Sequence, residues 1–207
     1  MSKVKKREHS KKKMYIPIAS AFFVLIIIII FAKNNYKFSK NGNNISNQNN
    51  DKICENILNI SSYKATLEVT IKSNKNTNKY ILKQTHNLNE ETQEVLEPES
   101  VKGTKTTYNS GKITIQSSKL NITKSYKDGK NLENNDLWLS TFIKEYKNSK
   151  KEVIDENKEK IIKIKNEKRQ KELYIDKKTQ KPTKLIIYNN NQKEEINIIY
   201  NEIEINT

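Results

Sequence analysis

Residues 63–72 read YKATLEVTIK, and this stretch decides the fold. Tyr63, Ala65, Leu67, Val69 and Ile71 alternate with Lys64, Thr66, Glu68, Thr70 and Lys72. That period of two puts successive side chains on opposite faces of a strand. One dry face and one wet face is the pattern of an antiparallel sheet packed on a core from one side. Downstream, Ser73–Asn78 is a polar turn and KYILKQTH (79–86) resumes as the partner strand. QEVLEP (93–98) is a short strand ended by Pro98. TKTTY (104–108) and KITIQSS (112–118) flank Asn109-Ser110-Gly111, a hairpin signal, and KLNITKSY (119–126) is a further strand. Apolar segments around Ile154, Ile162–Ile164, Leu173–Ile175, Leu185–Tyr188 and Ile196–Ile205 follow, separated by Asp176-Lys177-Lys178-Thr179 and Asn189-Asn190-Asn191. Short alternating strands at this spacing predict an antiparallel meander.

Two segments carry the helical period instead. Residues 51–60 place Ile53, Cys54, Ile57 and Leu58 on one side, with Asp51 as N-cap. DLWLSTFIKEYK (136–147) sets Trp138, Phe142 and Tyr146 at i, i+4 and i+8, with Asn135 or Asp136 as cap. An aromatic stripe at that spacing packs as core, so the second helix is expected to lie across the apolar side of the sheet.

The first 50 residues differ in kind. Residues 1–13 carry seven basic side chains against Glu8, a net +6 of the chain's +15. Residues 14–32, MYIPIASAFFVLIIIIIFA, hold 19 uncharged positions including Tyr15, Ile16, Phe22, Phe23, Leu25, Ile28 and Phe31. About 20 such residues cross a bilayer core. Phe31-Ala32-Lys33-Asn34 offers no small-x-small cleavage site, so an uncleaved single-pass anchor is expected. The basic flank places the N-terminus in the cytoplasm and the remainder outside. Residues 33–50 are polar and read as a tether. The expected organisation is a basic tail (1–13), a transmembrane anchor (14–32), a tether (33–50) and an extracytoplasmic domain (51–207).

Chemistry is sparse in the outer domain. The remaining positive charge is interspersed with carboxylates and lacks the basic, aromatic-interleaved stripe of a nucleic-acid binder. Cys54 is the single cysteine, expected as a small core residue. His86 is the only histidine beyond residue 9; one imidazole without further ligands does not build a zinc site or a Ser-His relay. It is expected on a solvent-facing strand position. Glu90, Glu91, Glu94, Glu97 and Glu99 lie close in sequence, the residue type a glycosidase pairs, and are expected as a solvated strand edge and turn. The four glycines are dispersed, so no phosphate-binding loop is present. No catalytic, cofactor-binding or metal-binding residues are assigned.

The stretches LEVTIKSNKNTNKYILKQTHN, EVLEPESVKG, TYNSGKITIQSSKLNITKSY, NDLWLSTFIKEYK and ELYIDKKTQKPTKLIIYNNNQKEEINIIYNEIEIN carry a resemblance. Over about residues 52–207 the chain resembles the germination lipoprotein GerS family, itself similar to the lipoprotein-carrier fold. Its most specific positions are Asn74, Lys75, Glu97, Pro98, Trp138, Asp176 and Pro182. The resemblance implies a mainly β fold: a half-open antiparallel barrel or curved sheet covered by helices. It also implies a non-catalytic role as partner of a zinc-dependent N-acetylmuramoyl-L-alanine amidase in spore-cortex peptidoglycan modification. The chain departs from that family in lacking the lipidated Cys, for which the 14–32 helix would substitute. The alternative is a lipid or lipoprotein carrier with an apolar cavity lined by Leu67, Val69, Ile115 and Trp138. Expected partners are therefore a cell-wall amidase and the membrane, with a homodimer left open and no cofactor or nucleic acid.

Overall fold

A computed structural model of the chain describes residues 52–127, 135–166 and 169–207. The basic tail, the anchor with Tyr15, Ile16, Phe22, Phe23, Leu25, Ile28 and Phe31, the tether and the Asp51 cap lie outside them. Among the described residues no helix is long and apolar enough to cross a membrane.

Helix α1 (Lys52–Leu58) leads into β1 (Ser62–Lys72), β2 (Thr77–His86), β3 (Glu90–Glu97), β4 (Thr104–Asn109), β5 (Lys112–Ser117) and β6 (Ile122–Tyr126). Helix α2 (Leu139–Tyr146) then precedes β7 (Lys150–Asp155), β8 (Glu159–Lys165), β9 (Gln170–Asp176), β10 (Lys181–Tyr188) and β11 (Glu194–Asn206). All eleven strands form one antiparallel sheet in the order β6-β5-β4-β3-β2-β1-β11-β10-β9-β8-β7. It is not the single meander expected from the strand spacing. Two meanders meet where β1 pairs with β11, from Ser62 opposite Asn206 to Ile71 opposite Ile196. The sheet stays open, with β6 and β7 as its edges.

The period of two in β1 becomes burial: Tyr63, Ala65, Leu67, Val69 and Ile71 are all in the core. Cross-strand partners share a face, so this side continues through Leu82, Val95, Leu173, Leu185, Ile196 and Ile198. In β11 the buried set changes phase, from Ile196, Ile198 and Tyr200 to Ile203. The cause is a bulge: Leu67 faces Tyr200 while Thr66 faces Glu202, leaving Asn201 extra.

Both helices cover this face. Cys54 and Ile57 of α1, and Leu139 and Phe142 of α2, join the same core cluster. Helix α2 starts later than its pattern suggests. Trp138 caps it with extended backbone and no side-chain cap bond, while its indole is buried. Neither Asn135 nor Asp136 caps it. Asn135 Oδ1 accepts from the Leu137 N–H at 3.0 Å, and Asp136 is buried in an ionic cluster instead.

That cluster latches the segment to β9. Lys171 points into the covered face, 2% exposed, with Nζ 2.7 Å from Asp136 Oδ1 and 2.7 Å from Glu145 Oε2. The Arg169 guanidinium holds the other Asp136 oxygen and lies 3.6 Å from Glu195. Burial pulls the Lys171 ammonium down, but the charges and hydrogen bonds of Asp136 and Glu145 outweigh it and raise its pKa. On the opposite flank, buried Gln84 donates to the Leu137 carbonyl at 3.1 Å and to Gln93 Oε1 at 2.8 Å. The Ser140 hydroxyl donates to Glu91.

A buried ion with a partner removed keeps its desolvation cost without its compensation. Asp136→Ala is therefore expected to destabilise the protein by about 3–5 kcal/mol, measured as a lowered urea midpoint at unchanged slope.

Candidate interaction surface

Leu67, Val69 and Trp138, expected to line a carrier's cavity, are side chains of the core on the covered face. All three are packed in the core with Phe142 and Leu139. Ile115 is buried on β5, outside that cluster.

Two expectations are corrected on this face. His86 is not solvent-facing: it points to the covered side, its Nδ1 2.8 Å from Glu91 Oε1 and its ring stacked on Tyr63 at 5.2 Å. Register explains it, because Tyr63, His86 and Glu91 lie opposite one another across β1, β2 and β3. Glu91 is correspondingly not part of a solvated edge, whereas Glu97 and Glu99 are exposed. Glu91 Oε1 is the shared acceptor of His86 and Ser140. The serine is thus bonded to the carboxylate rather than to the imidazole.

The other face of the sheet carries a different constellation, on β8 to β11. Lys163, Glu172, Ile186 and Asn197 lie opposite one another in one row; Ile161, Tyr174, Lys184 and Ile199 form the next. Glu172 is only 5% exposed although both described helices lie on the other face. Its Oε1 accepts from Gln170 Nε2 at 2.8 Å and faces Lys163 Nζ at 3.1 Å. Its Oε2 accepts the Tyr174 hydroxyl at 2.9 Å and the Tyr188 hydroxyl at 3.2 Å. The Lys184 ammonium lies 3.9 Å over the Tyr174 ring, a cation–π contact. Ile161 and Ile186 are buried beneath these longer side chains, and Ile199 is 40% exposed beside them.

The chemistry follows from the four donors. Burial raises the Glu172 pKa, but the bonds from Tyr174, Lys163 and Gln170 outweigh it, leaving the carboxyl below its ordinary value. Burial, with the neighbouring carboxylate, pushes the Tyr188 phenol up to about 12 and raises Tyr174 further. At neutral pH none of the three trades a proton. The result is a preorganised patch of two tyrosines and an isoleucine around a satisfied charge. Tyrosines held in one rotamer present large contact area at little entropic cost, which is how interface anchors work.

The sequence-derived positions do not converge on this patch. Asn74 and Lys75 sit in the β1–β2 turn, Glu97 and Pro98 at the end of β3, and these share one end of the sheet. Asp176 and Pro182 sit at the opposite end, where Asp176 Oδ1 accepts from the Thr179 N–H at 2.7 Å and fixes the β9–β10 turn. Pro182 stands just past the last β10–β11 pair, Lys184 opposite Ile199, where it has no N–H to give. Trp138 is inside. Glu172, Tyr174 and Tyr188 escaped sequence reasoning; for the first two the one signal was alternation in KELYID (171–176), with Glu172 and Tyr174 falling on the wet side.

A family model for YdcC-like sporulation proteins matches residues 11–207. No curated protein matches the chain. Among solved structures, a chain from the complex of the CwlD amidase with the GerS lipoprotein of Clostridioides difficile is 18% identical, with a TM-score of 0.49, covering 80% of this chain and 99% of that one. An uncharacterized conserved protein from Thermus thermophilus is 12% identical at a TM-score of 0.49, covering 77% and 89%. The LolA superfamily protein NE2245 from Nitrosomonas europaea is 8% identical at 0.38, covering 75% and 93%.

Because the folded Glu172 pKa lies below its ordinary 4.5, its contribution is present above pH 4.5 and is lost as pH falls through the lowered value. Glu172→Gln is expected to flatten stability against pH on that acid limb. Thermal unfolding of both proteins across pH 2–6 measures it, with the two curves converging at the acid end.

Proposed function

The chain belongs to the YdcC-like sporulation protein family, and we propose that it is a membrane-anchored, non-catalytic protein-binding module of the sporulating cell's envelope. Its expected partner is a cell-wall N-acetylmuramoyl-L-alanine amidase, and its docking surface is the Tyr174–Tyr188–Ile199 patch. The observation that carries this reading is the division of labour between the two faces. One is filled by its own helices and latched through Asp136 and Lys171. The other displays preorganised aromatic side chains around a satisfied carboxylate. A carrier needs a vacant apolar face, whereas a docking module needs a rigid exposed one.

The amidase is named from the sequence resemblance to the germination lipoprotein family. In that reading the catalysis belongs to the partner, and this chain supplies position. The apolar stretch 14–32 would hold it to the membrane with the N-terminus in the cytoplasm, so that the sheet domain works outside.

The test is binding of the full chain to the amidase of the same cells, by pull-down and titration. Ile199→Asp places a charge in the patch on an already exposed position. It is expected to weaken binding by about 30-fold or more, since interface anchors are worth about 2 kcal/mol or more. Lys83→Asp, exposed on the same face of β2, is expected to leave binding unchanged. Equal affinity of the Ile199→Asp protein and the parent would remove the patch from the account. If Ile199→Asp instead dissolves a homodimer while amidase binding persists, the patch joins two copies of this chain.

A further inference from the structure

The strand directions divide the sheet's loops between two ends. Strand β1 begins at the end where the chain enters through α1, whose Asn56 side chain bonds Gln180 of the β9–β10 turn at 3.2 Å. The β2–β3 turn, the β4–β5 turn and the end of β6 lie at that same entry end.

The tip of the β2–β3 turn is Leu88, 87% exposed. Nothing in the turn requires it. Asn87 Oδ1 accepts from the Asn89 and Glu90 N–H groups, both at 2.9 Å, and the Asn87 N–H donates to the Glu90 carbonyl at 3.0 Å. The loop is therefore held by its own polar groups, in the manner that makes small polar residues the usual occupants of such positions. The leucine is an addition to a turn already complete. Its neighbours at this end are Lys112 at the start of β5, then Tyr126 (40% exposed) and Lys127 at the end of β6. Among the described residues at this end of the arm, the carboxylates are Glu90, opposite Asn109, and Glu91, which is tied to His86 and Ser140. From β3 to β6 is three strand spacings, about 14 Å at the usual ~4.8 Å.

We propose that this entry end of the first arm seats on an anionic bilayer surface, with Leu88 entering the headgroup–acyl boundary, Tyr126 reaching the surface at the far side of the arm and Lys112 and Lys127 facing acidic headgroups. An apolar tip with an aromatic and lysines along the same sheet end is the composition of an interfacial anchor. The point of chain entry selects a membrane over a protein as the occupant. Residues 33–51 lead from the apolar segment to Lys52, at the same end as Leu88. Fully extended they reach no more than about 65 Å, so the domain is held within reach of the lipid and attached to it by this end. The inference rests on the anchored reading above. It deepens that reading by fixing how the domain stands: entry end down, with the strands rising from the surface.

The experiment places the full chain in lipid nanodiscs, with Cys54→Ala removing the native thiol and an environment-sensitive fluorophore on Leu88→Cys or, at the opposite end, Asn74→Cys. Discs contain phosphatidylcholine alone or with phosphatidylglycerol. The expected result is a blue shift and loss of acrylamide quenching at position 88 in the anionic discs, with position 74 in water throughout. Lys112→Glu with Lys127→Glu should abolish the shift. If the chain enters the discs and position 88 stays as water-exposed as position 74, the seating is wrong and the anchor stands. A shift equal in both lipids would overturn the anionic part, and one seen only on adding amidase would assign Leu88 to the protein partner. Failure of the chain to enter discs overturns both readings.

Discussion

Burying Lys171 against Asp136 and Glu145 is the constraint on which the arrangement depends. A lone ammonium inside a sheet-and-helix core is prohibitive, and two carboxylates with the Arg169 guanidinium make it tolerable only in one geometry. Such a cluster need not add much net stability. It specifies where the 136–146 segment sits, because any other placement leaves charges unpaired in the core. The Gln84 bond to the Leu137 carbonyl fixes the same segment from the first arm. Trp138, Leu139 and Phe142 then fall on the sheet as a consequence.

Topology makes that clasp consequential. With β1 and β11 paired at the centre, the sheet consists of two arms whose free edges, β6 and β7, are joined in sequence only through the α2 segment. Fixing α2 to β9 on one side and to β2 on the other ties the arms together across their covered face. With that face occupied, what remains for recognition is the uncovered face and the sheet's two ends. The tyrosine patch around Glu172 is on the former and Leu88 is on the latter.

Much of the fold was legible because one rule repeats. Alternation in YKATLEVTIK marked the buried face of β1 residue by residue, and Asn109-Ser110-Gly111 became a hairpin with Ser110 and Gly111 at φ 47° and 81°. Strand order was not legible. Alternation says which side is wet but not which strand is next, and β1 with β11 is a pairing across the whole domain. The helix start was missed because Asp136 resembles an N-cap locally while a distant lysine claims its carboxylate. His86 and Glu91 were misplaced for a related reason: polar residues at dry positions look wet until their mutual pairing is known. The phase change after Tyr200 was written in the sequence, yet only the bulge at Asn201 explains it.

The central claim is that the α2 segment is a permanent part of the core and not a lid. Native-state amide hydrogen exchange across Leu139–Tyr146 tests it most directly, set against β1 and β11. The account predicts that these helix amides exchange only through global unfolding, with protection equal to that of the central strands. Exchange of the helix orders of magnitude faster, while β1 and β11 remain protected, would mean that the segment opens on its own and that the covered face is a binding cavity after all.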